Sequence, residues 1–498
     1  MNWGRLSLFL FLTVSPLEAQ QTLSLEDYLH QVKSQGPDYQ SQAAAVEGFE
    51  KQSHQQDLTY SPVLTAGYNH ENDESQQSTF LAPSQTLTDT AGVSITDVLP
   101  FGPKLTLGYA FNDLNITYPP QLLSAFGPYE SDFLTSYYQI SPVISLSIPL
   151  FKDFGGSQTG AGVHVVQYQF EAQAYAAAFQ REQELYNAQS AYWTLAKDLE
   201  EINIRQDTLD RNQKILDWTQ KRVARNLADP PDALQAEASV RLAELDLEKA
   251  QETERTDRIA FNRYRDLKTD EVPETLQPLE DSLNQMREDV PQDIPERLDL
   301  KAAEDTANQQ KAAYDQAHQN VYPDLTATAS WRGNGLDPSF GYANEVAWGT
   351  DHPTYDIGVS FNLPLDVFTA SRVAEGYWKN YQSALLSLQD KQVQVQQDWQ
   401  DLRDHLQEVD KRLDMTAQIE AIQKDKADQE KQRLEYGRTT EYQLLLFEND
   451  YNAARLDHLS VILEKVNLLA KAQWWLATEV MPTASTTSTP ENPNGETK

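Results

Sequence analysis

The sequence predicts a mixed α/β membrane protein in which long coiled-coil α-helices run into transmembrane antiparallel β-strands, the whole arrangement occurring twice along the chain. Three observations predict it. First, one junction is used twice: near 38–68 and again near 299–329, a polar Ala/Gln-rich helical stretch meets a proline and emerges as an alternating strand. Asp38 to Pro62 and Asp299 to Pro323 are both 24 positions apart, and Leu64-Thr65-Ala66 returns as Leu325-Thr326-Ala327. Proline cannot continue a helix and pushes its predecessor toward extended geometry. Second, the emerging strands are apolar on one face only. Leu325, Ala327, Ala329 and Trp331 alternate with Thr326, Thr328, Ser330 and Arg332, and Leu64, Ala66, Tyr68 and His70 keep the same phase. Third, past the N-terminus no run approaches the roughly 18 apolar residues of a membrane helix, so a membrane crossing has to be made by strands.

The 498 residues carry a formal net charge of -35, with 75 acidic against 40 basic side chains. That excess disfavours binding to nucleic-acid phosphates. Mean hydropathy is -0.61, yet aromatics make up 10%, which argues against wholesale disorder. Met1–Arg5 is positively charged, Leu6–Val14 is apolar, and Leu17-Glu18-Ala19 offers a cleavage site, so residues 1–19 read as a signal peptide. With no cysteine there are no disulfides, thiolate metal sites or lipid-modified cysteine at the mature N-terminus. A signal peptide, no spanning helix and amphipathic strands together suggest an outer membrane reached through a periplasm.

Repeat 1 is expected over 20–272. Ser24-Leu25-Glu26-Asp27 opens a helix that breaks near Gly36-Pro37, strands occupy 62–150, and a long helical hairpin follows over 155–268. Phe170 to Asn226 holds neither proline nor glycine, enough for a rod of roughly 85 Å. Prolines 273, 278, 291 and 295 mark a linker over 273–295. Repeat 2 is expected over 296–480: a helix, strands over 323–364 closing at Pro364-Leu365 as the first set closes at Pro149-Leu150, and a hairpin over 371–480. Val395, Trp399, Leu402, Leu406, Val409 and Leu413 step by 4, 3, 4, 3, 4, a heptad seam that predicts left-handed supercoiling. A second seam runs through Leu456, Leu459, Leu463, Val466 and Ala470. The Thr/Ser/Pro/Asn-rich end, 481–498, reads as disordered.

Both hairpins reverse at corresponding residues. Aligned through Arg222 and Arg433, Asn226 stands where Gly437 stands, and both residue types tolerate the left-handed conformation that ends a helix. Asp229 before Pro230, and Thr440 in Thr440-Glu441-Tyr442-Gln443, are N-cap residues for the returning helices. The first β region is the longer, and its excess contains a further candidate hairpin, Val93–Phe111, turning at Pro100-Phe101-Gly102-Pro103. As barrel wall it would turn Leu105, Leu107, Tyr109 and Phe111 to lipid and Lys104, Thr106 and Gly108 to the lumen; the rival is a plug or an outside loop. One chain offers too few strands to close a barrel, so trimerisation is expected, with 12 strands from four per chain or 18 if the hairpin joins.

The order of these segments resembles the TolC family of outer-membrane efflux proteins over nearly the whole mature chain. Ser24-Leu25-Glu26-Asp27-Tyr28-Leu29 is similar to the family's opening. Glu296-Arg297-Leu298-Asp299-Leu300 resembles its start of repeat two, with Leu298 where proline is usual. Pro149-Leu150-Phe151 followed by Asp153-Phe154-Gly155 resembles the strand-to-helix exit, and Arg433-Leu434-Glu435-Tyr436-Gly437-Arg438-Thr439-Thr440 the second periplasmic tip. The first tip, Asn226 to Pro231, departs by lacking glycine. The resemblance implies a homotrimeric channel-tunnel in the cell outer membrane, its α-helical barrel reaching into the periplasm. It would give passive exit to substrates delivered by an inner-membrane pump and a periplasmic adaptor (membrane fusion protein). It further implies docking at the tips (Arg222, Asn226, Asp229, Arg433, Gly437, Arg438, Thr439, Thr440) and a carboxylate gate, for which Asp425 and Asp428 stand one helical turn apart. The competing reading of those two aspartates is a solvated face paired with nearby lysines.

No residue pattern for catalysis appears. The eight histidines are scattered without metal-ligand spacing, and no Gly-x-Ser-x-Gly elbow occurs. Gly155-Gly156-Ser157-Gln158-Thr159-Gly160 lacks the lysine of a phosphate loop and reads as a flexible strand-to-helix joint. Neither cofactor, metal nor nucleic acid is expected, and no enzyme activity. Trp331, Trp348, Tyr137, Tyr138 and Tyr355 suit interfacial girdles at strand ends. Alternation alone fits a protein core equally well, which keeps open a secreted or periplasmic coiled-coil scaffold or adhesin with a soluble β domain.

Overall fold

The strands do not come in two separate sets: a computed structural model puts both repeats' strands in one sheet. It describes residues 22–76, 82–120, 124, 135–286, 290–363 and 365–477. The signal peptide, the 481–498 tail and Pro364 lie outside the described residues. In chain order the elements are β1 (Thr22–Leu23), α1 (Leu25–Gln35), α2 (Pro37–Ser53), β2 (Val63–Asp73), β3 (Gln85–Val98), β4 (Lys104–Thr117) and β5 (Ser136–Pro149). Then come α3 (Ser157–Ala224), α4 (Pro230–Tyr264), β6 (Thr275–Leu276), α5 (Leu279–Gln285), α6 (Leu298–Gln319) and β7 (Asp324–Arg332). The chain continues with β8 (Gly335–Asp337), α7 (Phe340–Trp348), β9 (Thr354–Asn362), α8 (Val367–Glu435) and α9 (Glu441–Leu476).

These elements form two compact units, and neither is one of the sequence repeats. One takes the N-terminal segment to Val46, Ala176–Leu298 and the chain from Val393; the other takes Glu47–Tyr175 and Asp299–Gln392. The chain passes from the first unit to the second at Leu298–Asp299, close to the expected start of repeat 2 at 296. Each repeat supplies its long strands to the second unit and parts of its helices to both.

In the sheet unit the order is β2-β3-β4-β5-β7-β9, with the short β8 beside β5, and all pairs are antiparallel. The additional hairpin is thus in line with the other strands, between β2 and β5. Register holds one face through all six: Leu64, Ile95, Leu107, Ile144, Trp331 and Tyr355 lie in one row. The opposite face is set by Thr65, Ser94, Thr106, Gly108, Ser145, Ser330 and Asp356, a polar surface. Tyr109 and Phe111 correct the expectation that they meet lipid, because α7 covers them.

The joint into α3 is a fixed turn rather than a flexible one. Gly155 and Gly156 both have positive φ, and a Cβ on Gly156 would stand 2.3 Å from the Pro100 carbonyl oxygen. Asp153 then caps α3, its Oδ1 accepting from the amides of Gln158 (2.8 Å) and Thr159 (2.9 Å) and its Oδ2 from the Thr159 hydroxyl (2.6 Å). Asp366 does the same for α8 through the Thr369 amide and hydroxyl, at 3.0 and 2.7 Å. α3 thus begins at Ser157, close to the hairpin start expected at 155, whereas α8 begins at Val367, a turn before the expected 371.

The helical unit is built on the expected seams. Val395, Trp399, Leu402, Leu406 and Val409 of α8 are buried, as are Leu459, Val466 and Ala470 of α9, with Ile462 and Leu469 widening the α9 stripe. Leu459, Ile462, Val466 and Ala470 share one core with Tyr28, Tyr192, Trp193, Phe261 and Leu279. Tyr28 stacks on Phe261 with centroids 4.3 Å apart, and the Tyr192 hydroxyl donates to the Leu23 carbonyl at 2.7 Å. The proline-rich stretch 273–295 is not a spacer. Its β6 pairs in parallel with β1, and Leu276 and Leu279 join this core. Prolines here end short elements rather than separate domains.

Candidate functional site: the two helical reversals

The α3–α4 and α8–α9 reversals have one backbone geometry. Asn226 has φ 55° and Gly437 φ 66°. At the first, Asn226 N–H donates to Val223 O (3.0 Å) and Leu227 N–H to Arg222 O (2.9 Å). At the second, Gly437 N–H donates to Leu434 O and Arg438 N–H to Arg433 O, both at 2.9 Å. These paired bonds satisfy carbonyls that a helix end leaves open, the Schellman arrangement. Asparagine does at the first tip what glycine does at the second.

The side chains differ. Arg222 turns inward on its own tip, donating to the Leu227 carbonyl at 2.9 Å and lying 4.5 Å over the Trp218 ring. Asp229 is the extended N-cap of α4, and its amide donates to Asp232 Oδ2 at 3.2 Å. At the second tip the organising residue is Glu430, which the sequence reading missed. Its buried carboxylate accepts from Arg433 Nη1 at 2.9 Å and from the Thr439 hydroxyl. Arg433 and Thr439 thus hold the turn. Thr440 caps α9, its hydroxyl oxygen accepting from the Gln443 amide at 3.3 Å. Arg438 is exposed, its guanidinium 5.9 Å from the Tyr436 ring. Its positional equivalent at the first tip is Leu227, 62% exposed. The residue after the left-handed position is thus leucine at the first tip and arginine at the second, while Arg225, just before Asn226, is exposed at the first.

Asp425 and Asp428 are exposed, and neither enters an ion pair among the described residues. The lysine between them, Lys426, is taken by Asp450 of α9 at 2.7 Å. Asp428 lies near Glu448, whose carboxyl burial pushes up, with Arg211, Lys431 and Lys214 opposing and Asp428 adding to the rise. Arg211 of α3 stands 3.5 Å from Glu448 of α9, and Asn452 donates to the Thr208 hydroxyl at 2.7 Å, so the two hairpins of one chain are tied together above the tips. Among the described residues no group of three or more His, Asp or Glu side chains is placed to hold a metal ion, and no helix is long and apolar enough to cross a membrane.

No protein-family model matches the chain, and no curated protein sequence matches it. Its backbone does match solved structures. The channel protein CusC superposes with a TM-score of 0.60 at 13% identity, over 91% of each chain. The outer membrane protein VceC of Vibrio cholerae gives 0.59 at 16% identity, over 91% of this chain and 96% of that one. The MtrE outer membrane channel of Neisseria gonorrhoeae gives 0.58 at 15% identity, over 91% and 88%. At such identities the likeness is one of fold, and over nine-tenths of its length the chain has the fold of the TolC-like outer-membrane channels.

Proposed function

We propose that three copies of this chain form an outer-membrane channel that continues as a helical tunnel in the periplasm and gives passive exit to substrates delivered by an inner-membrane pump through an adaptor. One observation carries the reading: an antiparallel sheet of six strands in line, with β8 beside β5, that has a broad exposed apolar band on one face, a polar opposite face and unpaired outer edges on β2 and β9 among the described residues. Such a sheet is satisfied in lipid only when its edges close on further copies, and three copies give 18 strands. The apolar face exposes Ile357, Val359 and Phe361 on β9 and Leu64, Ile95 and Leu107 on β2, β3 and β4, a surface ill suited to a soluble scaffold. Light scattering of detergent-extracted protein and conductance in planar bilayers test it. A monomer without conductance would sink the channel reading.

For the tips, the proposal is that the adaptor docks on the exposed Arg438, whose guanidinium suits carbonyl and carboxylate acceptors, while Arg433, Gly437, Thr439 and Thr440 shape the turn. Arg222, Asn226 and Asp229 play the shaping part at the first tip, where Leu227 supplies the contact. Arg438→Glu is expected to leave assembly intact and abolish adaptor cross-linking. Normal cross-linking would move the docking surface elsewhere on the tunnel. For the gate, the unpaired Asp425 and Asp428 of three copies would favour cations over anions. Single-channel recording of Asp425→Asn/Asp428→Asn should then show reduced cation preference; unchanged selectivity removes them from the pore.

A further inference from the structure

Helix α7 lies on the apolar face of the sheet. Ala343 and Ala347 are fully buried against Ile140, with Tyr109, Phe111 and Tyr138 around them. The approach is backbone-close: a Cβ on Gly335 would stand 1.8 Å from the Ala343 carbonyl oxygen, so the strand has to carry glycine there. The Tyr109 hydroxyl donates to Asn344 Oδ1 at 2.7 Å, and Phe340 meets Phe111 and Tyr138 edge-on, at 5.9 and 5.7 Å. The underside of the helix is fully engaged. Its outer side is not: Tyr342 and Trp348 are 57% and 56% exposed, and Glu345 is exposed on the turn between them.

Strand register gives the level at which this helix lies. On the side toward the strand ends that join the helices, the face is aliphatic: Ile357 is 87% exposed, and Val359, Phe361, Leu107 and Ile144 extend the band. On the other side, one row past Ile140 and Gly335, the same face turns polar with His70, Asp89, Asp113 and Asp337, and His70 Nδ1 lies 2.8 Å from Asp89 Oδ1. The helix therefore covers the boundary between the apolar and polar parts of one face. From Tyr355 to Leu363 the band runs about 27 Å along the strand, or about 20 Å along the membrane normal at a tilt near 40°. That falls short of the roughly 25 Å apolar belt of an outer-membrane barrel, and α7 supplies the missing height. Trp348 continues the belt directly, its ring 5.9 Å from that of Trp331, which pairs with the exposed Tyr355.

We propose that α7 lies along the barrel wall at the level of the outer-leaflet headgroups, with Tyr342 and Trp348 against the boundary of headgroups and acyl chains and Glu345, on the same outward stripe, among the polar headgroups, fixing the depth at which the barrel sits. The proposal rests on the membrane reading above. Tyrosine and tryptophan suit that level because one end of each ring is apolar and the other hydrogen-bonds. Continuity with the aliphatic band selects lipid as the occupant over another protein surface.

The native chain has no cysteine, so single labels are unique. Tyr342→Cys, Ile357→Cys and Thr328→Cys, each nitroxide-labelled on the full chain in reconstituted bilayers, are to be compared by collision with oxygen and with a water-soluble nickel chelate. A Tyr342→Cys label is expected to give an oxygen-to-nickel ratio several-fold above that of Thr328→Cys and below that of Ile357→Cys. A ratio equal to that of Thr328→Cys, with Ile357→Cys still in lipid, overturns the proposal and leaves the channel standing. A label shielded from both reagents puts a protein surface on α7 and overturns it equally. Water access at Ile357→Cys would instead bring down the membrane reading itself.

Discussion

Glu430 is an acid within a mixed-charge run, and by sequence it is indistinguishable from its solvated neighbours. Buried, it joins Arg433 to Thr439 across the second reversal. Glu430→Ala would leave a hydroxyl and a guanidinium without their acceptor, at a cost of about 1–3 kcal/mol. Hydrogen exchange of the 434–440 amides is expected to speed up while the seam of α8 stays protected. Asp198 is a second acid that sequence could not single out. It is buried on α3, with Lys197 Nζ 3.3 Å from its Oδ1 and Asp257 of α4 within hydrogen-bonding reach. Burial, reinforced by Asp257 and opposed by Lys197, pushes its carboxyl up to about 7. An acid raised in the folded state binds more protons folded than unfolded, so its contribution is complete below an unfolded pKa of about 3.9 and drains away as pH climbs toward 7. Asp198→Asn keeps the neutral form at every pH. Its melting temperature should match the parent near pH 4 and exceed it at pH 8; equal melting at both would show that Asp257 does not share a proton with it.

At the level of elements, legibility followed periodicity. The α8 seam was readable because burial on a helix recurs at 4 and 3, and Val395 to Val409 of it are buried while Leu413 is half-buried. Leu402→Ala there is expected to cost about 2–5 kcal/mol, whereas Met415→Ala, on the exposed side, should cost almost nothing. Urea melts of the two variants check the contrast. The start of α8 was placed a turn late, at 371, because its cap, Asp366, is recognisable only from its bonds to Thr369. Helix α7 went unseen for a different reason. Its nine residues are too few to display a period, and its placement depends on glycines that belong to the strands. The 273–295 segment was misjudged because proline reads as separation, while β6 and α5 are held by tertiary pairing that no local pattern announces.

For the whole molecule, the repeat and the two kinds of surface were legible, and the partition into units was not, since each unit is assembled from segments far apart in the chain. The in-line place of the β3–β4 hairpin has a direct test. Deleting Ile95–Phe111 removes most of the path between β2 and β5, and assembly in membranes should be lost. Heat-modifiable trimers on a native gel, undiminished by the deletion, would show that β2 and β5 can meet without it.

The open edges of β2 and β9 carry a genetic consequence. If the sheet is finished by two further copies, as proposed, a defective copy takes sound ones down with it. When intact and edge-defective chains are made in equal amounts and mix at random, only about one trimer in eight contains intact chains alone. A lesion in either edge strand that still permits one-sided pairing should therefore be dominant when co-expressed with the parent. A lesion that unfolds the sheet before it can pair at all should be recessive.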